Sequence, residues 1–291
     1  MYHIIFCLDE NYIPVLEYVL KTFKKTNKIK NFTLNFVISD EKQFLHEKIL
    51  NIANKISSNF TIRYKYYTPT KDFKKTLVEY GNLLFGDNED IKKQRVYFNY
   101  ANWSRFHIID LFPDIKKGLY LDLDILFNSN IEDIFKINID NHIVAISPYN
   151  KGNKSIIQKI TSLNEPEDIK QVDKFFEHFD INRKDLNNQH YNCGVMYFNL
   201  ELLRSNNIQS KVEKLLKYMI KNPEIKMSGT QNIQNVLIPT YKSFSVNYNY
   251  TSWRKKNGKY KIVHFKGIKI NEIIEKKVYK HYYNTIMGIK N

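Results

Sequence analysis

Two aspartates interrupt the apolar run GLYLDLDILF at residues 118–127. A carboxylate is expensive to bury unless it is paired or holds a metal, so Asp122 and Asp124 need a partner there. In a strand, residues two apart point to the same side. Asp122 and Asp124 therefore project together, while Leu123 turns into the core. Two carboxylates aimed at one place suit a hard divalent cation or an arginine. The competing reading is a strand end whose acids cap a turn or pair with lysines. A D-x-D triplet is short and common; the strongly apolar strand around it is what makes this one a candidate site.

The elements that would position these residues follow from periodicity. Residues 3–8 form a continuous apolar run ending at Asp9, and Val15, Leu16, Val19, Leu20 and Phe23 recur at helical spacing between Tyr12 and Phe23. Strand patterns follow at 32–39 and 61–68, with helical spacing over 41–56 between them. Strands alternating with helices predict an α/β fold with a mostly parallel central sheet covered on both faces. Residues 81–100 are less regular; helical spacing returns near 101–111, just before the aspartate strand. HIVAISP (142–148) and NCGVMYFN (192–199) read as further strands, 200–220 as a helix and 230–237 as a short one. In an open parallel sheet, ligands bind at the carboxyl ends of strands, where the aspartates lie. The polar stretch 150–190 reads as an insertion over the sheet of a domain spanning 1–270, and 271–291 as a basic, aromatic tail.

A chain of 291 residues allows one large domain or two small ones. With 43% hydrophobic and 14% aromatic residues, it is not a disordered one. No apolar stretch approaches membrane-spanning length. The opening MYHIIFCLDENY has neither a basic region nor a small-residue cleavage site, and reads as a first strand rather than a signal peptide. A cytoplasmic protein is expected. The two cysteines, Cys7 and Cys193, lie in apolar runs and are expected to be reduced core residues. The formal charge of +15 would suit an anionic partner. Yet the lysines are scattered, without the basic stripe and interleaved aromatics of a nucleic-acid groove. Joint enrichment in Lys, Asn, Ile and Tyr fits AT-rich coding bias, and no nucleic-acid partner is expected.

Five segments, in order, resemble glycosyltransferase family 8, which includes bacterial lipopolysaccharide galactosyl- and glucosyltransferases and the glycogenins. FCLDENYIP at 6–14 is similar to the family's opening strand and nucleotide loop. WSRFHIIDLFPDIKKGLYLDLDILFNSNIEDIF at 103–135 is similar to its central block of helix arginine, D-x-D strand and acidic turn. YNCGVMYFNL at 191–200 resembles the N-x-G-V strand. GTQNIQN at 229–235 stands where the family usually carries D-Q-D or D-Q-G and then Asn. VHFKGIK at 263–269 resembles the H-F-x-G segment and its following lysine.

The resemblance implies the GT-A (Rossmann-like) nucleotide-sugar-binding fold. It also implies a retaining, metal-dependent hexosyltransferase that uses UDP-glucose or UDP-galactose and a hydroxyl acceptor on a glycan, glycolipid or protein. In that frame Asp9, Asn11 and Tyr12 hold the uridine, although Asp9-Glu10-Asn11 also reads as an ordinary strand-to-helix cap. Asp122, Leu123 and Asp124 border the donor. Asp122, Asp124 and His264 hold one Mn²⁺ or Mg²⁺ against the diphosphate, and mixed oxygen and imidazole ligation suits manganese better. Gly267 permits close backbone approach to a phosphate and Lys269 supplies charge. Arg105 is expected near the D-x-D and the donor, with a surface salt bridge as the competing reading. Asn192 and Gly194 line the donor sugar, with a plain buried strand as the rival for Gly194. Gln231 lies beneath the reactive carbon and, with Arg105, is the catalytic candidate. Two departures stand out. Thr230 and Asn232 replace the acids that flank the family's glutamine. HFKGIKI lacks the usual proline-tryptophan and is a residue shorter before Lys269. A glycogenin-like self-glucosylating enzyme and a UDP-sugar-binding protein with weakened catalysis are the alternatives. The tail 271–291 is either a peripheral membrane contact, as in the family's lipopolysaccharide enzymes, or a packed terminal helix.

Overall fold

The computed structural model describes residues 1–39, 44–86, 100–148, 154–161, 169–225, 227, 229–251, 260–268 and 270–289. The chain begins with strand β1 (Tyr2–Leu8), whose residues from Ile4 to Leu8 are all buried. Such a continuous apolar run fits a strand covered on both faces. It pairs in parallel with β2 (Phe32–Ile38) on one side and β4 (Lys117–Leu121) on the other. β2 pairs in parallel with β3 (Thr61–Tyr66). Beyond β4 come β7 (Val195–Asn199), β6 (Val144–Ile146) and β8 (Lys242–Ser243), in the order β3-β2-β1-β4-β7-β6-β8. Only β7 runs against its neighbours, so the seven-stranded sheet is mostly parallel.

Helices cover both faces. On one lie α1 (Ile13–Thr26) and α2 (Phe44–Ile56), packed with β1 and β2 side chains and with the terminal helix α11 (Lys277–Met287). On the other lie α3 (Lys71–Phe85) and the short helices α4 (Tyr100–Ser104) and α5 (Ile108–Leu111). The same layer holds α6 (Ile156–Thr161), α7 (Ile169–His178), α8 (Leu200–Ser205), α9 (Ile208–Lys221) and α10 (Gly229–Leu237). Cys7 and Cys193 are free and buried, and burial pushes both thiols up to about 12, so they serve as core residues.

Two expectations are corrected. The aspartate strand is not one strand. β4 ends at Leu121, the chain bends through Asp122–Asp124, and β5 (Ile125–Phe127) leaves to pair antiparallel with β9 (Ile262–His264) in a separate small sheet. The expected helix over 200–220 is two helices, because Asn207 between them takes a left-handed backbone conformation, φ 51°. Of the tail, Tyr279, Tyr282 and Ile286 are buried, with the Tyr279 ring edge-on to Tyr18 and tilted against Phe265.

Candidate active site

The bend at the end of β4 is the centre of the site. Because β5 belongs to a second sheet, its partner β9 brings His264 opposite Ile125, next to both aspartates. The backbone locks this meeting: the Asp122 N–H donates to the Gly194 carbonyl (2.9 Å) and the Phe265 N–H to the Asp124 carbonyl (2.8 Å). His264 Nε2 lies 3.1 Å from Asp124 Oδ1 and 3.9 Å from Asp122 Oδ2. One ligand atom from each of Asp122, Asp124 and His264 falls within 4.8 Å of the other two. His264 is 2% exposed, whereas Asp122 and Asp124 keep 26% and 20% of their side-chain surface open. The cluster thus has a closed back and an open front. Leu123, expected beside the donor, is fully buried in the core, so only its backbone can border the site.

Each carboxylate is held by one oxygen. Tyr120 donates its hydroxyl to Asp122 Oδ1 (2.7 Å), and Arg105 Nη2 approaches the same oxygen at 3.5 Å. Arg105 is buried, its guanidinium 4.9 Å from the Tyr120 ring centre, so the surface salt bridge is excluded. Asp122 Oδ2 is left facing His264 and the open front. Burial and the adjacent Asp124 raise the Asp122 carboxyl above its ordinary range, against the pull of Arg105. For Asp124, burial acts upward but neighbouring His264 outweighs it and holds the carboxyl low. Two acids and an imidazole this close, with one arginine behind them, form a set that a divalent cation fits.

Gly194 completes the cradle. A Cβ there would stand 2.3 Å from His264 Cε1 and 2.9 Å from Asp122 Oδ2. Glycine is needed because the chain entering β7 passes directly under the cluster and must leave room for the His264 and Asp122 side chains. Asn192 is buried, accepts the Gly194 N–H at Oδ1 (2.9 Å) and donates from Nδ2 to Gln231 Oε1 (3.1 Å). Gln231, in the first turn of α10, also accepts the Cys193 N–H at Oε1 (3.3 Å). Asn192 and Gln231 are therefore joined to the cluster of Asp122, Asp124 and His264.

Asp9 caps the turn Glu10–Tyr12 by accepting the Asn11 N–H at Oδ1 (2.9 Å), while Asn11 is exposed. Tyr12 follows, and its hydroxyl is raised by burial and by the negative charges of Asp122, Asp124 and Asp9. The segment expected to hold a base thus borders the carboxylates. Gly267 takes φ 86° in a turn closed by the Ile268 N–H donating to the Phe265 carbonyl (3.2 Å), and Lys266 is exposed in that turn. Lys269 lies outside the described residues. Asn232 and Thr230 are buried, and Asn232 Oδ1 pairs with His190 Nε2 at 2.9 Å.

Two residues were not singled out from the sequence. Tyr120 steers Asp122 from two positions away. Asn249 is buried and accepts from His264 Nδ1 (2.8 Å) while donating to Asn192 Oδ1 (2.8 Å). The signal for Asn249 was available in principle: a ligating histidine needs a partner for its second nitrogen, and NYNY at 247–250 holds a polar group among aromatics.

The sequence profile of glycosyl transferase family 8 matches residues 3–273. The chain belongs to glycosyl transferase family 8. Its fold is like that of galactosyltransferase LgtC, solved with donor and acceptor sugar analogs (TM-score 0.63, 12% identity, 98% of this chain and 95% of that one). GlyE of Streptococcus pneumoniae TIGR4 superposes with TM-score 0.58 at 15% identity, over 99% of this chain and 62% of that one. Mouse xyloside xylosyltransferase 1 does so with TM-score 0.53 at 16% identity, over 90% and 97%. A Haemophilus influenzae protein provisionally named a glycosyltransferase is 24% identical over 143 residues, 49% of this chain and 38% of that relative's length. What these solved structures share with the chain is the fold, the GT-A arrangement that the resemblance implied. No helix among the described residues is long and apolar enough to cross a membrane.

Proposed function

We propose that this family 8 glycosyltransferase transfers glucose or galactose from a UDP-sugar to a hydroxyl of a glycan acceptor, with a divalent cation at Asp122, Asp124 and His264 and with retention of configuration. The observation that carries the reading is the convergence of those three side chains over Gly194, with Gln231 bonded to the same framework. When bound there, Mn²⁺ or Mg²⁺ supplies Lewis-acid stabilisation of the departing nucleoside diphosphate. This chain's own residues prepare the rest. Tyr120 and Arg105 hold Asp122 Oδ1, so its other oxygen faces the ligand. Tyr12 and Asp9 offer a ring and a carboxylate to the base. Lys266, two residues beyond His264, adds positive charge beside the diphosphate, a task expected of Lys269. Gln231 presents an amide, not a carboxylate, toward the sugar, and Thr230 and Asn232 beside it are uncharged. With no carboxylate nucleophile in that stretch, attack by the acceptor on the same face that the leaving group departs from is the mechanism that fits.

A panel of UDP-sugars with Mn²⁺ tests this, scoring donor hydrolysis and the intact mass of the protein together. Release of UDP from UDP-glucose or UDP-galactose supports the reading, and a mass gain in hexose steps identifies a self-glucosylating enzyme. Tight UDP binding without turnover of any donor would identify a binding protein, the second reading, which the Asn232–His190 pairing in place of an acid favours.

A further inference from the structure

We propose that Asn249 is a positioning residue that fixes His264 as a metal ligand, and that two backbone N–H groups, those of Cys193 and Gly194, determine the direction of the entire amide chain that does so. The inference deepens the metal-dependent reading above and rests on it.

The four side chains Gln231, Asn192, Asn249 and His264 are linked end to end by hydrogen bonds of 2.8–3.1 Å. Their orientations are not free. The Gly194 N–H can only donate, so the atom of Asn192 facing it is the oxygen, Oδ1. The same oxygen faces Asn249, which must therefore donate its Nδ2 and turn its own Oδ1 toward His264. An amide oxygen can only accept, so His264 Nδ1 carries the hydrogen, and in the neutral ring it is Nε2, 3.1 Å from Asp124 Oδ1, that turns its lone pair toward Asp122 and Asp124. At the other end, the Cys193 N–H and Asn192 Nδ2 both donate to Gln231 Oε1. Oε1 is thereby occupied twice. Among the described residues Gln231 Nε2 makes no hydrogen bond, so this glutamine addresses a ligand as a donor.

The backbone keeps Asn249 in place. The Tyr250 N–H donates to the Ile262 carbonyl (3.0 Å) and the His264 N–H to the Tyr250 carbonyl (3.0 Å), so segment 249–250 runs alongside β9. Asn249 is buried, so water cannot stand in for its oxygen without rearrangement. Outer partners of a metal-ligating histidine set its tautomer and ring orientation, and their loss typically costs about 10–100-fold in metal affinity or activity.

The test combines nitrogen-15 NMR of the His264 ring in metal-free protein at alkaline pH with Mn²⁺ calorimetry in the presence of UDP. The parent should show a hydrogen on Nδ1 and none on Nε2. Asn249→Ala should give mixed tautomers and weaken Mn²⁺ binding by about 10–100-fold. Asn249→Asp keeps an acceptor for Nδ1–H but cannot donate to Asn192. It should retain the parental tautomer and escape the roughly 10–100-fold loss of Mn²⁺ affinity expected of Asn249→Ala, while turnover falls because the link to Gln231 is lost. Thermal melts of each variant separate these effects from unfolding. If Asn249→Ala does not fold, the parent's tautomer and the Asn249→Asp pattern still decide. A parent with the hydrogen on Nε2, or an Asn249→Ala protein that binds Mn²⁺ like the parent, overturns the inference and leaves the transferase reading standing. A parent that binds no Mn²⁺ at all overturns the metal reading itself, and this inference with it.

Discussion

At the scale of single residues, the site separates groups that touch a ligand from groups that leave room for it. Asp122→Asn or Asp124→Asn removes one charge and little volume, so turnover should be nearly abolished while the melting temperature stays near the parent's. Chelation should produce the same loss, and Mn²⁺ should reverse it; full activity in excess EDTA would falsify the metal assignment. Gly194→Ala makes a sharper case because no ligand is removed. Its methyl would occupy space 2.3 Å from His264 Cε1, so the imidazole must swing away from both aspartates. Mn²⁺ affinity should fall by at least the roughly 10–100-fold that follows misorienting a ligand. Calorimetry of Gly194→Ala showing parental Mn²⁺ binding would mean the strand can retreat and the cradle is not tight. Gln231, bonded through Oε1 to Asn192 and Cys193, offers only its amide N–H groups to a sugar. Gln231→Ala should therefore lower kcat far more than donor affinity, the pattern of an interaction made mainly in the transition state. An equal loss of affinity with unchanged kcat would assign Gln231 to sugar binding alone.

At the scale of elements, the sequence carried the burial pattern well and the three-dimensional turns poorly. β1 and β2 stand close to where apolar runs placed them, because a buried parallel strand must be apolar almost throughout, whereas β3, an edge strand with no buried residue, followed from its β-branched and aromatic composition. The break between β4 and β5 was not legible. Alternation reports which side a residue faces but not that the chain has changed sheets, and Ile125–Phe127 is as apolar as the strand before it. The antiparallel direction of β7 was equally hidden, since apolar pattern carries no direction. Helix α3 was missed because Phe73, Leu77 and Tyr80 are its only fully buried large side chains in a highly polar stretch. The Asp122–Asp124–His264 cluster was legible because charged side chains in apolar runs are conspicuous; Asn249 was harder to find, because only the need of His264 Nδ1 for a partner points to it. The terminal helix α11 shows how one pattern supports two readings. Its aromatics fit a membrane interface by composition, but Tyr279 and Tyr282 are buried, with Tyr279 4.8 Å from the ring of Phe265, beside His264. A chain ending at Glu275 should therefore melt earlier or become insoluble. Tyr279→Ala alone should cost about 3–5 kcal/mol, as other large aromatic truncations in cores do. A truncated protein that melts like the parent would return the helix to the surface.

At the scale of the whole molecule, two histidines, His190 buried and His107 half-buried, make stability depend on pH. His107 lies between the rings of Tyr67 and Phe73, with Gln209 Nε2 2.9 Å from its Nδ1. Burial pulls its pKa down to about 4, and Asp110 and Glu213 offset only part of this. His190, bonded to Asn232, is likewise pulled down to about 4 by burial, with Lys159 and Lys266 acting in the same direction. Both are neutral when folded and take up a proton on unfolding anywhere between about pH 6.5 and pH 4. The unfolded chain then binds more protons, so stability rises with pH across that window and falls as the solution is acidified. His264 acts outside it. Burial would lower its pKa, but Asp124 outweighs burial and raises it, so its contribution is complete below the unfolded value and fades only above. At pH 5, about 1.5 units below the unfolded value, each of the two histidines withdraws about 2 kcal/mol. Against a typical total of about 5–15 kcal/mol, that is a large share. Urea denaturation of metal-free protein at pH 7.5 and pH 5 should show the midpoint dropping for the parent. His107→Gln with His190→Gln, which cannot titrate, should show a markedly smaller drop. Equal drops in the two proteins would mean that these histidines are hydrated enough to protonate in the folded state, and that the acid sensitivity lies elsewhere.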